Sequence, residues 1–509
     1  MKIRVSAVLS LLALATLALP PTGAFGEERR GRAAATGTAA PRAAAPPSIP
    51  AAPRPHAPGQ AALTLLASPV EVPPGGTATL SWNTSHADRC TASGGWTGPK
   101  ALSGRFVTGT LAHDTSFFLT CVNAGYSVTR SMRITVTPAP LVPHPVDSLA
   151  PATWYAVPHS SFTQVCPPRP PYSVFTTCGT GLIPAWNGGA FDTARDRFLL
   201  WGGGHKGYGG NEMFAFDVRS LKWLRLTEPS VLIVDEPNRT AWFPGNEPVS
   251  AHTYDGIEYV PSVDRLLVTG VSPLIPYGTL DKSMSFPLYR FANGSTTWAR
   301  YFDLRTRQWG PPLTKAVTAS GGSMPVMAAY DPIRNKVYSG GNHGSFDEFD
   351  VATSTWKYVG NIKWNYLGAY PYDFNGTFDP KRRLFLAIGN GRLFVYNTYK
   401  GVGFMEVLRT TGATEILFRR VPGFAYSSKA DRFVAWAGGA DVYVLDPNGW
   451  VWTKISPAAS NRFVPPAQDR NGTFGRFRYV ASKDAFMVVN EAVGNVYFYR
   501  LPALSGDRR

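Results

Sequence analysis

Three histidines occupy positions in the sequence that favour a shared binding site. His205 and His343 each follow a glycine-rich turn, and His252 immediately precedes a predicted strand. Neutral imidazole nitrogens are good ligands for zinc and copper. The sequence therefore predicts a site that could hold a Cu or Zn ion, although the spacing matches no short metal-binding motif. The alternative is that each imidazole only hydrogen-bonds a loop carbonyl.

Aromatic and polar residues in the same loops predict a ligand-binding face, with or without a metal. A flat ring offers apolar area to a sugar or peptide, and nearby polar groups orient the ligand. For each ring the alternative is packing between sheets. Besides the three histidines, the candidate ligand-binding residues are Tyr208, Asn211, Trp242, Tyr254, Trp364 and Tyr366.

The elements that must position these residues are short strands in a repeated order. Between Trp186 and Trp223, the apolar run Phe198–Trp201 ends in glycines and the run Met213–Phe216 stops at Asp217. Short apolar runs separated by Gly and Asp turns indicate strands rather than helices. Related segments recur downstream, twice at intervals of about 50 residues and earlier at longer intervals that indicate insertions, which predicts an array of similar units. Later copies end at Trp309, Trp356 and Trp450.

An apolar run ending in Gly-Gly, then Tyr or Phe before Asp, then Trp, resembles the kelch-repeat β-propellers, the superfamily that includes galactose oxidase. The resemblance extends over about residues 150–501 and implies four-stranded blades around a central channel. The sixth copy lacks its closing Trp, whereas Thr153–Val157 supplies a Trp before the first copy. We therefore predict an all-β fold with a six-bladed kelch-type β-propeller, whose last blade is completed by that segment.

The N-terminal part of the chain divides into three further regions. Residues 1–24 have the basic start, apolar segment and small-residue exit of a signal peptide, which predicts a secreted or periplasmic protein. Residues 25–61 form an Ala/Pro-rich linker, and residues 62–138 predict a β-sandwich. After the signal we find no segment apolar enough to span a bilayer. A short tail covers residues 502–509.

The sandwich segment resembles the immunoglobulin-like modules of many secreted bacterial proteins, on the sequences LSWNTSHADRCTASGGWTG and TSFFLTCVNAGYS. That resemblance implies a spacer or docking module. Because the signal implies an oxidising compartment, we expect a disulfide between Cys90 and Cys121, with metal binding as the alternative. Cys166 and Cys178 are expected to form a local disulfide, with a free reactive thiol as the alternative.

The net charge of +16 is spread thinly along the chain, which favours a solvated surface over a nucleic-acid interface. We therefore expect an exported, monomeric, non-catalytic recognition protein that binds a glycan or a protein through one face of the propeller. The alternative is a metal-dependent copper oxidase resembling galactose oxidase. Against it, no cysteine follows Cys178 to form a blade-borne Cys–Tyr thioether, and no Ser-His-Asp or paired-carboxylate arrangement is recognisable. The insertion at Val271–Trp298 is expected to overhang the channel mouth.

Overall fold

The protein is all-β, with short strands joined by tight turns. The predicted signal peptide and most of the predicted linker lie outside the described residues. The computed structural model describes residues 59–173, 176–203, 208–235, 240–271, 298–314, 325–342, 344–361, 373–401 and 403–504.

The first part of this region is built from two small sheets with the strand orders β1-β3-β6 and β2-β8-β7-β4-β5. Apolar and polar residues alternate along its strands, so that one face of each sheet is buried in a common core. Its strands are β1 (Ala62–Ser68), β2 (Glu71–Val72), β3 (Thr79–Ser85), β4 (Arg89–Gly94), β5 (Gly98–Lys100), β6 (Ser103–Val107), β7 (Thr115–Val122) and β8 (Ser127–Val136).

Both expected disulfides are confirmed, and they use all four cysteines of the chain. Cys90 and Cys121 are opposite one another on the neighbouring strands β4 and β7. This bridge therefore lies within one sheet, whereas the bridge of antibody domains joins two sheets. Cys166 is bonded to Cys178, the first residue of the helix α1 (Cys178–Gly181). Two disulfides are consistent with an oxidising compartment.

Among the residues described after the sandwich, six antiparallel sheets of four or five strands follow one another, with one additional hairpin. Sheets 1 and 2 each contain four consecutive strands. The bounds are β9 (Thr153–Ala156); sheet 1, β10 (Ala190–Asp192), β11 (Arg197–Leu200), β12 (Phe214–Asp217) and β13 (Lys222–Arg225); the hairpin, β14 (Ile233–Asp235) and β15 (Thr240–Trp242); sheet 2, β16 (Ile257–Val260), β17 (Arg265–Val271), β18 (Trp298–Asp303) and β19 (Gln308–Thr314).

Sheets 3 and 5 each gain a short parallel fifth strand, which is β27 in sheet 3 and β29 in sheet 5. The bounds are β20 (Pro325–Asp331), β21 (Lys336–Gly341), β22 (Ser345–Asp350), β23 (Thr355–Asn361) and β27 (Gly403–Phe404) in sheet 3; β24 (Asn375–Asp379), β25 (Leu384–Gly389), β26 (Arg392–Asn397) and β28 (Glu406–Leu408) in sheet 4; β29 (Thr411–Gly412), β30 (Gly423–Ser427), β31 (Arg432–Trp436), β32 (Val442–Asp446) and β33 (Val451–Ile455) in sheet 5; and β34 (Phe477–Val480), β35 (Ala485–Val488) and β36 (Tyr497–Arg500), with β9, in sheet 6.

Short 3₁₀ turns connect several of these strands. They span Phe162–Val165, Pro244–Asn246, Pro261–Val263, Thr414–Phe418, Phe474–Arg476 and Ala481–Lys483.

The innermost strand of each sheet contacts that of the next in the cyclic order β10, β16, β20, β24, β30, β34 and back to β10. Such a cycle of small antiparallel sheets is consistent with a β-propeller. β9 pairs with β36, as the sequence predicted, so sheet 6 combines strands from the two ends of this region. Trp154 of β9 lies opposite Tyr499, is 1% exposed, and donates a hydrogen bond from its indole to the Ala440 carbonyl at 2.8 Å.

The turn between the first two strands has the same backbone conformation in every sheet. The residue preceding the second strand has a left-handed φ between 45° and 58°. Asp and Asn tolerate this conformation better than most residues, which explains why Asp recurs at this turn position. The six residues are Asp196, Asp264, Asn335, Arg383, Asp431 and Asp484.

A tyrosine in the first strand of four sheets binds this turn. In sheets 2, 3, 5 and 6 its hydroxyl donates to the side chain five residues later, within the hairpin of its own sheet. The pairs are Tyr259–Asp264 (3.0 Å), Tyr330–Asn335 (2.9 Å), Tyr426–Asp431 (2.7 Å) and Tyr479–Asp484 (2.9 Å). A side chain of the preceding sheet also forms a hydrogen bond or ion pair with the same turn residue. These contacts join neighbouring sheets at the end where their first two strands are connected. These contacts are Arg195–Asp264, Ser262–Asn335, Arg382–Asp431 and Lys429–Asp484.

The sandwich is held to sheets 1 and 2 by a buried group of charges. Glu71 of β2 pairs with Arg197 of β11 at 2.5 Å and with Arg307, beside β19, at 3.0 Å. Arg197 also pairs with Asp217 at 3.0 Å. Burial opposes ionisation of Glu71, but the two guanidinium groups outweigh it and lower the pKa of Glu71 to about 2. Removing one partner would leave a buried charge without compensation, so these residues stabilise the docked arrangement.

Candidate ligand-binding face

Six residues at the start of the innermost strands occupy equivalent places around one end of the six sheets. Each lies six residues before the last residue of its sheet's first strand. We call them the mouth residues, and they are Trp186, Tyr254, Pro325, Asp373, Val421 and Phe474. The loops between second and third strands reach the same end, because each sheet is antiparallel.

Four mouth residues have a left-handed backbone although none is a glycine. Their φ values are 54° for Trp186, 48° for Tyr254, 39° for Val421 and 49° for Phe474. This conformation is costly for bulky and β-branched residues, and backbone strain of this kind clusters at ligand and active sites. Repetition of the strain in sheets 1, 2, 5 and 6 therefore identifies the mouth as the candidate site.

Trp186, His252 and Tyr254 lie together at this mouth. The Trp186 and His252 ring centroids are 4.9 Å apart with an interplanar angle of 36°, and those of His252 and Tyr254 are 6.0 Å apart, edge to face. Trp186 and His252 are half-buried, whereas Tyr254 is 7% exposed. The structure therefore brings two of the predicted ligand-binding residues, His252 and Tyr254, beside a tryptophan that the sequence did not single out.

The glycines after β11 allow the loop that follows this strand to approach sheet 2. Gly202 and Gly203 have φ of 138° and 131°, which side chains rarely adopt. A Cβ on Gly202 would collide with the side chain of Asn187 and lie 2.9 Å from the Ala251 carbonyl oxygen. The Gly-Gly of the sequence pattern is thus required where His252 and its neighbours cross the end of sheet 1.

Tyr208 and Asn211 are buried beneath the surface of the loop that follows β11. Both are buried, at 0% and 3% exposure. The Asn211 amide donates to Ser230 Oγ at 3.0 Å and to the Pro248 carbonyl at 3.2 Å, and its side-chain oxygen accepts from the Ser230 amide at 2.9 Å. Direct contact of Tyr208 and Asn211 with a ligand stays a prediction. The structure places both side chains beneath the surface.

Several predicted site residues fall where the structure gives no description. His205, His343, Trp364 and Tyr366 lie outside the described residues, as does nearly all of the insertion at Val271–Trp298. Trp242 belongs to β15, paired with Ile233, but its side chain is also outside the description. The predicted convergence of three histidines therefore stays a prediction, with His252 as its one described member.

A buried glutamate lies beneath the same loop. Glu212 is 1% exposed and forms no ion pair with any described residue. A Cβ at Gly210 would collide with both Glu212 Oε2 and the Tyr208 hydroxyl, so these two groups converge on that glycine. Loss of hydration raises the pKa of Glu212 from 4.5 to about 7, an effect that Tyr208 and Arg225 offset only in part. The carboxyl therefore holds a proton to near-neutral pH.

The space at the centre of the six sheets is occupied by a second buried carboxylate. Asp255 is 0% exposed; its Oδ2 accepts from the Gly376 amide at 2.6 Å, and its Oδ1 is 3.3 Å from Arg478 Nη2. Arg478 also donates to the Gly189 carbonyl at 2.6 Å. Desolvation raises the pKa of Asp255, with Arg478 opposing it. Because these contacts join sheets 1, 2, 4 and 6 across the centre, we assign Asp255 and Arg478 a positioning role.

Within the described ranges, no three His, Cys, Asp or Glu residues are grouped in a way that could hold a metal ion. The Cu or Zn prediction depends on His205 and His343 and is neither supported nor opposed by this. The disulfides bear on the oxidase alternative directly, because they leave no cysteine for a Cys–Tyr thioether. That cofactor cannot be formed from the cysteines of this chain while both disulfides persist.

Comparison with known proteins adds no assignment. No family model and no curated protein matches the chain. A protein of unknown function from Bacteroides thetaiotaomicron superposes with a TM-score of 0.39 at 10% identity, covering 86% of this chain and 98% of the other. A chain of the mitotic checkpoint complex superposes with a TM-score of 0.35 at 11% identity, covering 72% and 97%. At these scores the similarities carry no argument about function. Among the described residues, no helix has the length and apolarity needed to cross a membrane.

Proposed function

We propose that the protein is an exported, non-catalytic recognition protein, built as a six-bladed kelch-type propeller with an immunoglobulin-like sandwich in front of it. Support for the architecture comes from six sheets in cyclic contact, with β9 completing the sixth. The glycines after β11 agree with the kelch pattern. Export is supported by the signal-like N-terminus and by the two disulfides.

The ligand in this proposal is a glycan or a protein, bound at the mouth. The observation that carries it is the half-buried Trp186, stacked against His252 and held in a left-handed conformation. An aromatic ring fixed in orientation loses little entropy on binding and offers a flat apolar face beside the polar imidazole. The buried Asp255 and Asn211 and the half-buried Arg478 stabilise the structure beneath it.

The test is a binding screen of the secreted protein against immobilised glycans and extracellular proteins, followed by the variant Trp186→Ala. We expect this variant to lose at least about tenfold in affinity for any ligand found, as truncated aromatic anchors do. Trp450→Ala is the matched control, because Trp450 is also half-buried with φ of 55° but lies in the turn before β33, at the opposite end. Equal losses in both variants, or no loss in Trp186→Ala, would contradict the proposal.

A further inference from the structure

On the other side of the mouth from Trp186, three arginines are exposed to solvent. Arg419 and Arg420 follow the 3₁₀ turn before β30, and Arg470 lies in the loop before β34. The Arg420 guanidinium donates to the Arg470 carbonyl at 3.3 Å, so the two loops are in direct contact. Arg419 reaches the carbonyl of Ala437, in the loop after β31, at 3.5 Å. The loops that carry Arg420 and Arg470 are thus joined, and all three arginines are exposed at the mouth end of sheets 4 to 6. We call these three residues the basic cluster.

This basic cluster is continuous with the aromatic side of the mouth. Asn471 is next to Arg470 in the chain. Its side-chain amide donates a hydrogen bond at 2.6 Å to the carbonyl of Pro184, which lies two residues before Trp186. The rings of Phe474 and Tyr254 are 5.8 Å apart, which joins the start of sheet 6 to that of sheet 2. A ligand lying across the mouth would thus contact an aromatic ring at one side and guanidinium groups at the other.

Two aspartates lie within the cluster and limit its net charge. Asp373 pairs with Arg420 at 3.2 Å, and Asp469 Oδ1 accepts a hydrogen bond from the backbone N–H of Asn471 at 2.8 Å. Three arginines against two carboxylates do not make the continuous positive groove that follows a nucleic-acid backbone. Sugars need a different mixture, in which carboxylates accept from hydroxyl groups and arginines bind acidic substituents through paired hydrogen bonds.

We propose that the ligand is a polysaccharide bearing carboxylate groups, whose acidic sugars pair with Arg419, Arg420 and Arg470 while a nearby sugar ring stacks on Trp186. This inference rests on the proposed function and specifies its ligand. An acidic chain of linked sugars suits the site because it presents charge and an apolar ring face in regular alternation. The net charge is +16 for the full sequence, and it is +14 without Lys2 and Arg4 of the predicted signal peptide (16 − 2); this charge adds long-range attraction to such a polymer.

The experiment measures binding of the full secreted chain to polygalacturonate, to the same polymer with its carboxylates methyl-esterified, and to single-stranded DNA. We expect binding to polygalacturonate that weakens with added salt, and at least tenfold weaker binding to the methyl ester and to DNA. The triple variant Arg419→Gln, Arg420→Gln, Arg470→Gln should lose at least tenfold in affinity for polygalacturonate. Its thermal unfolding, recorded in parallel, establishes that it is folded.

A second triple variant removes the same charge elsewhere. Arg305, Lys357 and Lys400 are exposed and lie in or near the last turns of sheets 2, 3 and 4, away from the mouth. Changing all three to Gln should alter affinity less than twofold. Equal losses in the two triples, or DNA binding as tight as polygalacturonate binding, would overturn the inference. If Trp186→Ala weakens binding of an uncharged ligand while the arginine triple binds normally, this inference fails and the proposed function stands. If no glycan or protein binds at all, both fail.

Discussion

Replacing Glu212 with glutamine is expected to remove a pH-dependent loss of folding stability. Glu212 is almost completely buried beneath the loop that follows β11, and no described cation pairs with it. Burial raises the pKa of this carboxyl from 4.5 to about 7 in the folded protein. In the unfolded chain the same carboxyl is hydrated and titrates in its ordinary range.

The direction in which stability changes with pH depends on which state, folded or unfolded, holds the proton. Below pH 4.5 the carboxyl is protonated in both states and does not affect the equilibrium. Between pH 4.5 and 7 the unfolded chain releases the proton while the folded protein retains it, so stability falls as pH rises. Above pH 7 both states are ionised and the full cost is present. This cost is about 3 kcal/mol, a substantial part of the stability of a typical domain.

Urea unfolding at pH 5 and at pH 8 measures the effect, with wild type, Glu212→Gln and the control Glu406→Gln compared at each pH. Glu406 is an exposed residue of β28, so its replacement should leave the pH dependence unchanged. Relative to wild type, Glu212→Gln should gain roughly 2 to 3 kcal/mol between pH 5 and pH 8. A difference that stays constant within about 0.5 kcal/mol, or that changes in the opposite direction, would refute the argument that the buried carboxyl retains its proton.

Three further predictions concern the sandwich contact, the sixth sheet and the histidines. Because its arginine partners lower the pKa of Glu71 to about 2, this residue stabilises the fold above pH 4.5 and the stabilisation is lost as pH falls towards 2; Glu71→Gln should reduce the difference in unfolding free energy between pH 7 and pH 2.5 by roughly 2 to 3 kcal/mol. A chain shortened to begin at Gly181 lacks β9 and should unfold less cooperatively in calorimetry than a chain that begins at residue 150, whereas equal transitions would show that β9 contributes little. Metal analysis of the purified protein tests the predicted site: if Cu or Zn is present, alanine at His205, His252 or His343 should sharply lower occupancy, while His113→Ala in the sandwich should not. Metal content near zero in the wild type would contradict the metal form of the prediction.

The repeated units could be predicted from sequence because each one is specified by residues close together in the chain. Asp and Asn in the first turn, Gly after the second strand and the strand-length apolar runs all act locally. The β9 pairing was also predictable, since the sixth copy ended without a Trp and Trp154 had no unit of its own. One detail was wrong: Trp450 lies in the turn, and Trp452 of β33 is the residue opposite Leu445.

The candidate site was less predictable because its contacts join different sheets. His252 and Tyr254 were singled out, but Trp186 was used only as the start of a repeat, and its stacking on His252 depends on how sheets 1 and 2 meet. Nothing in the local sequence distinguishes Asp255 or Glu212 from the many turn carboxylates. The equivalent left-handed residues at the mouth of sheets 1, 2, 5 and 6 would have been a usable signal only once the strand register was known.

If the protein is exported as proposed, the pairing of β9 with β36 has a consequence for how it folds. Thr153 is paired with Arg500, so one partner emerges early during translocation and the other emerges almost last. Until then β9 is a strand without its neighbour, and the edge of the last unit is open to proteases and to strands from other chains. Such long-range closure also slows folding, because ordering so long a loop precedes the contacts that reward it. A chaperone outside the membrane that shields β9 would therefore increase the yield of folded protein more than one acting on the central sheets.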